Sequence, residues 1–184
     1  YVLYVKHAKT FFMTISVYIR PLVIEDASVS YAWRNDPLIW VYTGYKPTHY
    51  ISSEIETAWL REKLARPDQL RFAICVKELN TYIGNIQLLD ITDRDAELHL
   101  FIGNKLYWGK GIGYQATVQM IRYGFLIKEL DEIYLKVHPA NIAAITVYEK
   151  AGFEITGKAN DLITMSVTKT KFVQLENQEH DSIS

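Results

Sequence analysis

The chain has 184 residues, 49% of them hydrophobic, and a formal net charge of −1 at pH 7. That length suits one domain with a real core, and the near-neutral balance excludes bulk binding to nucleic acid or an anionic membrane surface. No apolar run approaches the roughly 18 residues of a membrane span, and the single cysteine, Cys75, excludes an internal disulfide and points to a reducing cytoplasm.

Residues 1–12 precede Met13 without the long apolar core or small-residue cleavage site of a secretory signal. The pattern reads Met13 as the natural start and 1–12 as an N-terminal extension. Residues 15–20 predict a first strand, stopped by Pro21. Glu25 and Asp26 suit the first turn of a helix reaching about Arg34, and Asn35-Asp36-Pro37 breaks it. Ser53 with Glu56 predicts a capping box ahead of a helix carrying Ile55, Trp59, Leu60 and Leu64, ended near Pro67. Strands follow over 71–77 and 82–89 around the turn Glu78-Leu79-Asn80, and an acidic turn, 90–95, leads into a strand over 96–103.

Further on, Met120, Ile121, Gly124 and Ile127 mark a helical stripe, and Ile133 to Val137 a strand. Asn141 is a good N-cap and Gly152 a good C′ residue for a helix whose Ala144, Val147, Tyr148 and Ala151 share one face. Residues 162–168 predict a late strand. From Gln174 the chain is polar and reads as a frayed end. One domain over 13–170 with a polar tail over 171–184 is the expected organisation, in the order β-α-α-β-β-β-α-β-α-β-β.

The most informative stretch is Tyr107-Trp108-Gly109-Lys110-Gly111-Ile112-Gly113-Tyr114. Three glycines at alternate positions remove Cβ atoms and let backbone N–H groups close around a bulky anion. The helix that follows offers its first-turn N–H groups and positive dipole end to the same place, which makes a phosphate cradle. A nucleotide P-loop does not fit, because Lys110 is followed by Gly111 instead of Ser or Thr. Residues 111–116 do fit G-x-G-x-x-A, with Asp131 about 20 residues on as a dinucleotide site requires. Residues 103–108 nevertheless separate those glycines from the strand, and Asp131 precedes the next strand instead of closing it.

The run from Trp108 through Gly111 to Gly113 resembles the core signature of the GNAT N-acetyltransferase family, Arg/Gln-x-x-Gly-x-Gly/Ala, with Trp108 in place of the first residue. The Trp-Gly-Lys-Gly version is similar to the branch of ribosomal-protein-alanine and small-amine acetyltransferases. A second block, residues 137–153, resembles the family's strand, Asn-headed helix and closing Gly-Phe. The resemblance implies an α/β fold with a mixed, mostly antiparallel central sheet flanked by helices. It also implies acetyl-coenzyme A as co-substrate, its pyrophosphate held by backbone from Trp108, Gly109, Lys110, Gly111, Ile112, Gly113 and Tyr114, with Ile102 and Gly103 as further cofactor-binding residues. Asn141 would contact the pantetheine arm as well as cap its helix.

Acetyl transfer to an amine needs a proton acceptor, since an alkyl ammonium with a pKa near 10.4 has no lone pair. Strand alternation puts Glu97, His99 and Phe101 on one face and Leu98, Leu100 and Ile102 on the core face. The resemblance makes Glu97 the base; His99 is its rival, or a structural histidine. Tyr148 resembles the family's tyrosine that protonates the coenzyme A thiolate, or is a core aromatic. Cys75 lies in an apolar run with no activating neighbour, and the scattered histidines show no metal spacing. Tyr31, Trp33, Trp40, Tyr42, Tyr45, His49 and Tyr50 make 31–50 aromatic, and the resemblance places the acceptor wall there, with Trp33, Tyr42, Tyr45 and His99 as candidate contacts. Asp90, Asp93, Asp95 and Glu97 offer a negative patch or a solvated turn.

The expected function is acetyl transfer to a primary amine (a protein N-terminus, an amino sugar or a small amine) by direct attack in a ternary complex. A non-catalytic acetyl-coenzyme A sensor and a dinucleotide-binding module are the alternatives. The reading involves no metal, nucleic acid or membrane, and allows a homodimer.

Overall fold

In the computed structural model, which describes residues 15–45 and 47–181, the predicted strands pair into one sheet. They are β1 (Val17–Pro21), β2 (Leu70–Val76), β3 (Thr81–Leu89), β4 (Asp95–Ile102), β5 (Glu132–Val137), β6 (Glu154–Ala159) and β7 (Leu162–Thr168). The helices are α1 (Ala27–Arg34), α2 (Ser53–Leu64), α3 (Ile112–Leu126), α4 (Ile142–Lys150) and α5 (Lys169–Asp181). The sheet order is β1-β2-β3-β4-β5-β7-β6, antiparallel throughout except for the parallel pair β4–β5. Among the described residues no helix is long and apolar enough to cross a membrane. The expected extension 1–12 and the start at Met13 lie outside the described residues.

Period-two alternation along the central strands builds two cores, one on each face. Phe72, Ile74, Ile86, Leu88 and Leu98 pack with Ile112, Met120, Ile121 and Phe125 of α3 and Tyr148 of α4. On the other face Ala73, Cys75 and Tyr82 pack with Trp33 of α1 and Leu60 of α2. Cys75 is fully buried and burial pushes its thiol pKa up, so it behaves as a small hydrophobe.

The β1 edge is closed by side chains. Gln115 accepts from Val17 N–H (3.1 Å) and donates to Ile15 C=O (2.8 Å). One turn on, Gln119 accepts from Ile19 N–H (3.2 Å) and donates to Val17 C=O (3.0 Å). Two amides spaced i, i+4 on α3 thus occupy the outward backbone groups that would otherwise invite another strand.

Two expectations change. The N-cap of α2 is Ser52, whose hydroxyl accepts from Ile55 N–H (3.4 Å), not Ser53. Glu56 does not reach back to a cap; it is buried and accepts from the Ser30 hydroxyl (2.9 Å). The polar segment expected to fray carries α5, because Phe172 is buried against Phe125 with ring centroids 5.4 Å apart. An apolar residue within the first turn is enough to dock a helix whose exposed face is polar.

Candidate active site

The site begins where β4 and β5 part. They pair only from Asp95–Glu132 to Glu97–Tyr134, yet β4 runs on to Ile102 and β5 to Val137. Each stays bonded to its outer neighbour, β4 to β3 and β5 to β7. The sheet therefore opens into a wedge with two facing backbone edges, and an extended amide-bearing chain can add to such edges as an extra strand does. The amides of a pantetheine arm have that chemistry.

The cradle lies beyond the open end of β4. Gly109 (φ +69°) and Gly111 (φ +74°) take left-handed conformations, and Gly111 is the N-cap of α3. A Cβ at either glycine would meet nothing within 4 Å, so glycine is needed there for backbone freedom and for an open approach to the first-turn N–H groups. Gly113 differs: its Cβ would make ordinary contacts with Leu100 and Val147 at 3.6–3.7 Å. We therefore expect Gly111→Ala to weaken acetyl-coenzyme A binding about tenfold, through about 1–2 kcal/mol of left-handed strain. Gly113→Ala should stay within about twofold, since alanine favours a helix. Equal losses in calorimetric titrations of the two variants would rule out the backbone explanation.

Three expected contacts have other duties. Trp108, 44% exposed, donates its indole N–H to Ile102 C=O at 2.8 Å, bracing the turn between β4 and the cradle. Gly103 donates its N–H to Ile83 C=O (2.8 Å), and its α-carbon lies under the Trp33 indole. Gly103 is thus a packing glycine, and neither its N–H nor the Ile102 carbonyl is left over for a phosphate or an arm. Lys110 lies over the Tyr107 ring at 5.7 Å and Lys150 over Tyr114 at 4.6 Å, which brings two cations to the cradle.

On the α1–α2 face, Glu97 is 9% exposed and both its oxygens are engaged. Oε1 lies 3.3 Å from His99 Nε2 and Oε2 accepts from Lys136 Nζ at 3.1 Å. The bond to Glu97 raises the Lys136 pKa. Burial lowers the His99 pKa, against the opposing pull of Glu97, and Arg71 and Lys136 lower it further; its imidazole is neutral at pH 7. Lys136 was not singled out from sequence. Its signal was alternation with Tyr134, which becomes readable only once Tyr134 is known to pair with Glu97.

On the opposite face, Tyr148 sits on α4, one residue after the Val147 that faces Gly113. Its ring is 6% exposed and packs on Phe153, and burial pushes its pKa up to about 12. No fully buried side-chain oxygen among the described residues lacks a partner. The Tyr148 hydroxyl makes no protein hydrogen bond, so it opens onto solvent-accessible space. Asn141 caps α4, accepting from Ala144 N–H at 3.3 Å.

The aromatic segment spans the mouth of the wedge. Trp40 packs on Phe101 of β4 (4.8 Å between centroids), and Tyr42 lies over His138 just past β5 (5.8 Å). Tyr45 meets Trp40 edge to face (5.1 Å between centroids) and accepts from the Arg34 guanidinium. Trp33 is not part of an open wall: at 9% exposure it fills the core against Tyr82 and Phe101. The acidic turn lies at the paired end of β4, away from the mouth, where Asp95 bonds the Thr92 hydroxyl. Among the described residues no cluster of His, Cys, Asp and Glu could hold a metal.

Comparisons with known proteins bear on the family and the fold. The acetyltransferase (GNAT) domain family matches residues 16–154. The uncharacterized N-acetyltransferase p20 of Bacillus licheniformis is 30% identical over 146 residues, covering 78% of this chain and 82% of that protein. Spermidine N(1)-acetyltransferase of Escherichia coli K12 is 30% identical over 145 residues, covering 78% and 75%. The crystal structure of spermidine N-acetyltransferase from Vibrio cholerae, in complex with CoA and spermine, superposes with a TM-score of 0.76 at 24% identity, covering 85% and 98% of the two chains. Wedge, cradle and flanking side chains thus sit on a shared fold, and the chain belongs to the GNAT family of acetyltransferase enzymes.

Proposed function

We propose that the enzyme moves the acetyl group of acetyl-coenzyme A to a primary amine by direct attack within a ternary complex. The observation that carries this reading is the wedge, where β4 and β5 part beyond the Glu97–Tyr134 pair. The co-substrate supplies an activated thioester. Backbone along 98–101 and 135–137 suits the amide-bearing arm, and N–H groups from 109 to 114 suit the pyrophosphate, since the Trp108 N–H is donated to Lys105 C=O. Activity on spermidine in a relative 30% identical supports a small amine as acceptor.

The proton acceptor is the Glu97–His99 pair. Glu97 Oε1, 3.3 Å from Nε2, favours the neutral tautomer that carries its hydrogen there, which leaves the Nδ1 lone pair of His99 to take the proton. Glu97, held by Lys136, orients the ring and stabilises the imidazolium once it takes the proton. Tyr148, protonated at every physiological pH, holds a proton for the departing sulfur.

Thiol release against polyamines, amino sugars and peptides with free N-termini tests the activity. No release with any of them, from protein that still melts higher with acetyl-coenzyme A, would favour the sensor reading. The base assignment predicts a pH signature. Because the folded His99 pKa lies below 6.5, the neutral, active form persists to lower pH than for an ordinary histidine, and the acid limb of the rate profile falls below 6.5. His99→Gln should remove that limb and about 10²-fold of the neutral-pH rate. A variant with the parental profile would leave Glu97 as the sole base.

A further inference from the structure

Arg71 stands at the start of β2 in a cross-strand row with Gln87 and His99, on the same face as Glu97. Two amides fix its guanidinium. Nε and Nη2 donate to Gln69 Oε1 at 3.1 and 2.7 Å, and Nη1 donates to Gln87 Oε1. The guanidinium carbon lies over the Trp59 ring, 5.1 Å from its centroid. These three bonds leave two of the roughly five guanidinium N–H donors over.

The setting is unusual in its charge. Arg20, Arg34 and Arg66 each have a carboxylate partner, in Asp26, Glu56 and Asp68. Half-buried Arg71 has none among the described residues. Glu56 faces it but is held by Ser30 and Arg34, and Glu97 is held by Lys136. Asp90, which faces His99 and Lys136 from the turn after β3, makes no ion pair with it. Burial together with Arg34 and Arg66 pushes the Arg71 pKa down to about 10, which still leaves it charged at neutral pH. A desolvated guanidinium without an anion is costly to the fold. It is well spent if an anion arrives with the substrate.

We infer that Arg71 receives a carboxylate carried by the amine acceptor, so that the acceptor is an amino acid or a peptide with an acidic group and not a polyamine. The inference rests on the acetyl-transfer reading above and names its substrate class. Arg71 and His99 stand two strands apart in this row, roughly 10 Å between their backbones, with Gln87, which holds the guanidinium, on the strand between them. One small molecule can place its amine at His99 and its carboxylate at Arg71. The same cation repels a polycation such as spermidine.

The test uses matched acceptors: β-alanine and a glycyl dipeptide, each against its C-terminal amide, with spermidine alongside. The free acids should exceed their amides in kcat/KM by about 10- to 100-fold, the worth of a charge-assisted bond. Arg71→Gln should bring each ratio to within about twofold, and Arg71→Lys should keep part of it. Each variant serves as its own control, so a partial loss of folded protein cancels from the ratio. Whichever acid pair shows the effect identifies free amino acid or peptide. Amides or spermidine used as well as the acids would overturn the assignment. Failure of every amine would overturn the reaction instead, and melting with coenzyme A then decides the site. Stabilisation by acid but not amide, lost in Arg71→Gln, supports it; equal shifts reject it.

Discussion

Tyr148→Phe is expected to lower kcat by about 10²-fold or more while acetyl-coenzyme A affinity stays within about twofold. The substitution removes one oxygen and leaves the ring packed on Phe153. That oxygen takes no hydrogen bond from the protein, so its loss orphans no buried partner and the stability change should be small. Its chemical consequence is larger. A thiolate leaving group gains from a hydrogen-bond donor at the moment of departure, and a phenol held to about 12 by burial is fully protonated and able to supply one. The split between kcat and affinity is the diagnostic. A fall in affinity with constant kcat would make Tyr148 a binding residue, and unchanged turnover would remove the acid assignment.

Gly103→Ala is expected to destabilise the fold by about 3 kcal/mol, lowering the melting temperature by about 6–12 °C for a chain of this size. The new methyl would lie 2.0 Å from an indole carbon of Trp33. That indole is buried, packed on Tyr82 and Phe101, and it cannot swing aside like the tip of a lysine. Its main chain accepts the Trp40 indole N–H at 2.8 Å, so displacement passes straight into the aromatic segment over the wedge. Activity should fall beyond the loss of folded protein, since the acceptor side is remodelled. A melting temperature within about 2 °C of the parent would show that the indole has room to move.

Much of the fold was legible because the chain writes its elements in local patterns. Alternation found the strands now seen at β2, β3, β4 and β7 to within a residue, and Asn141 with Gly152 marked both ends of α4. What failed locally did so for local reasons. The capping pattern reads Ser53 as the cap, although the adjacent Ser52 fills that place, which only its bond to Ile55 N–H reveals. The apolar positions of α5 are too sparse to mark a helix without the core that Phe172 enters.

The candidate site was legible in part. The glycine cradle announced itself because backbone conformation is demanded within a few residues. The duties of Gly103, Glu97 and Arg71 were hidden, since each depends on a neighbour brought from another element: Trp33 across Gly103, Lys136 across Glu97, Trp59 across Arg71. Alternation told which face Glu97 and His99 share, but not that a lysine two residues past its parallel partner would hold the carboxylate.

The glutamine clasp on β1 bears on the order in which the molecule assembles. Helix α3 can form from nearby residues, but its side-chain amides engage a strand 98 to 102 positions earlier in the chain. Closing a loop of that length carries its entropic cost before any contact rewards it. The cradle's conformation is thus set within a few residues, whereas the direction in which it points depends on contacts about a hundred positions away.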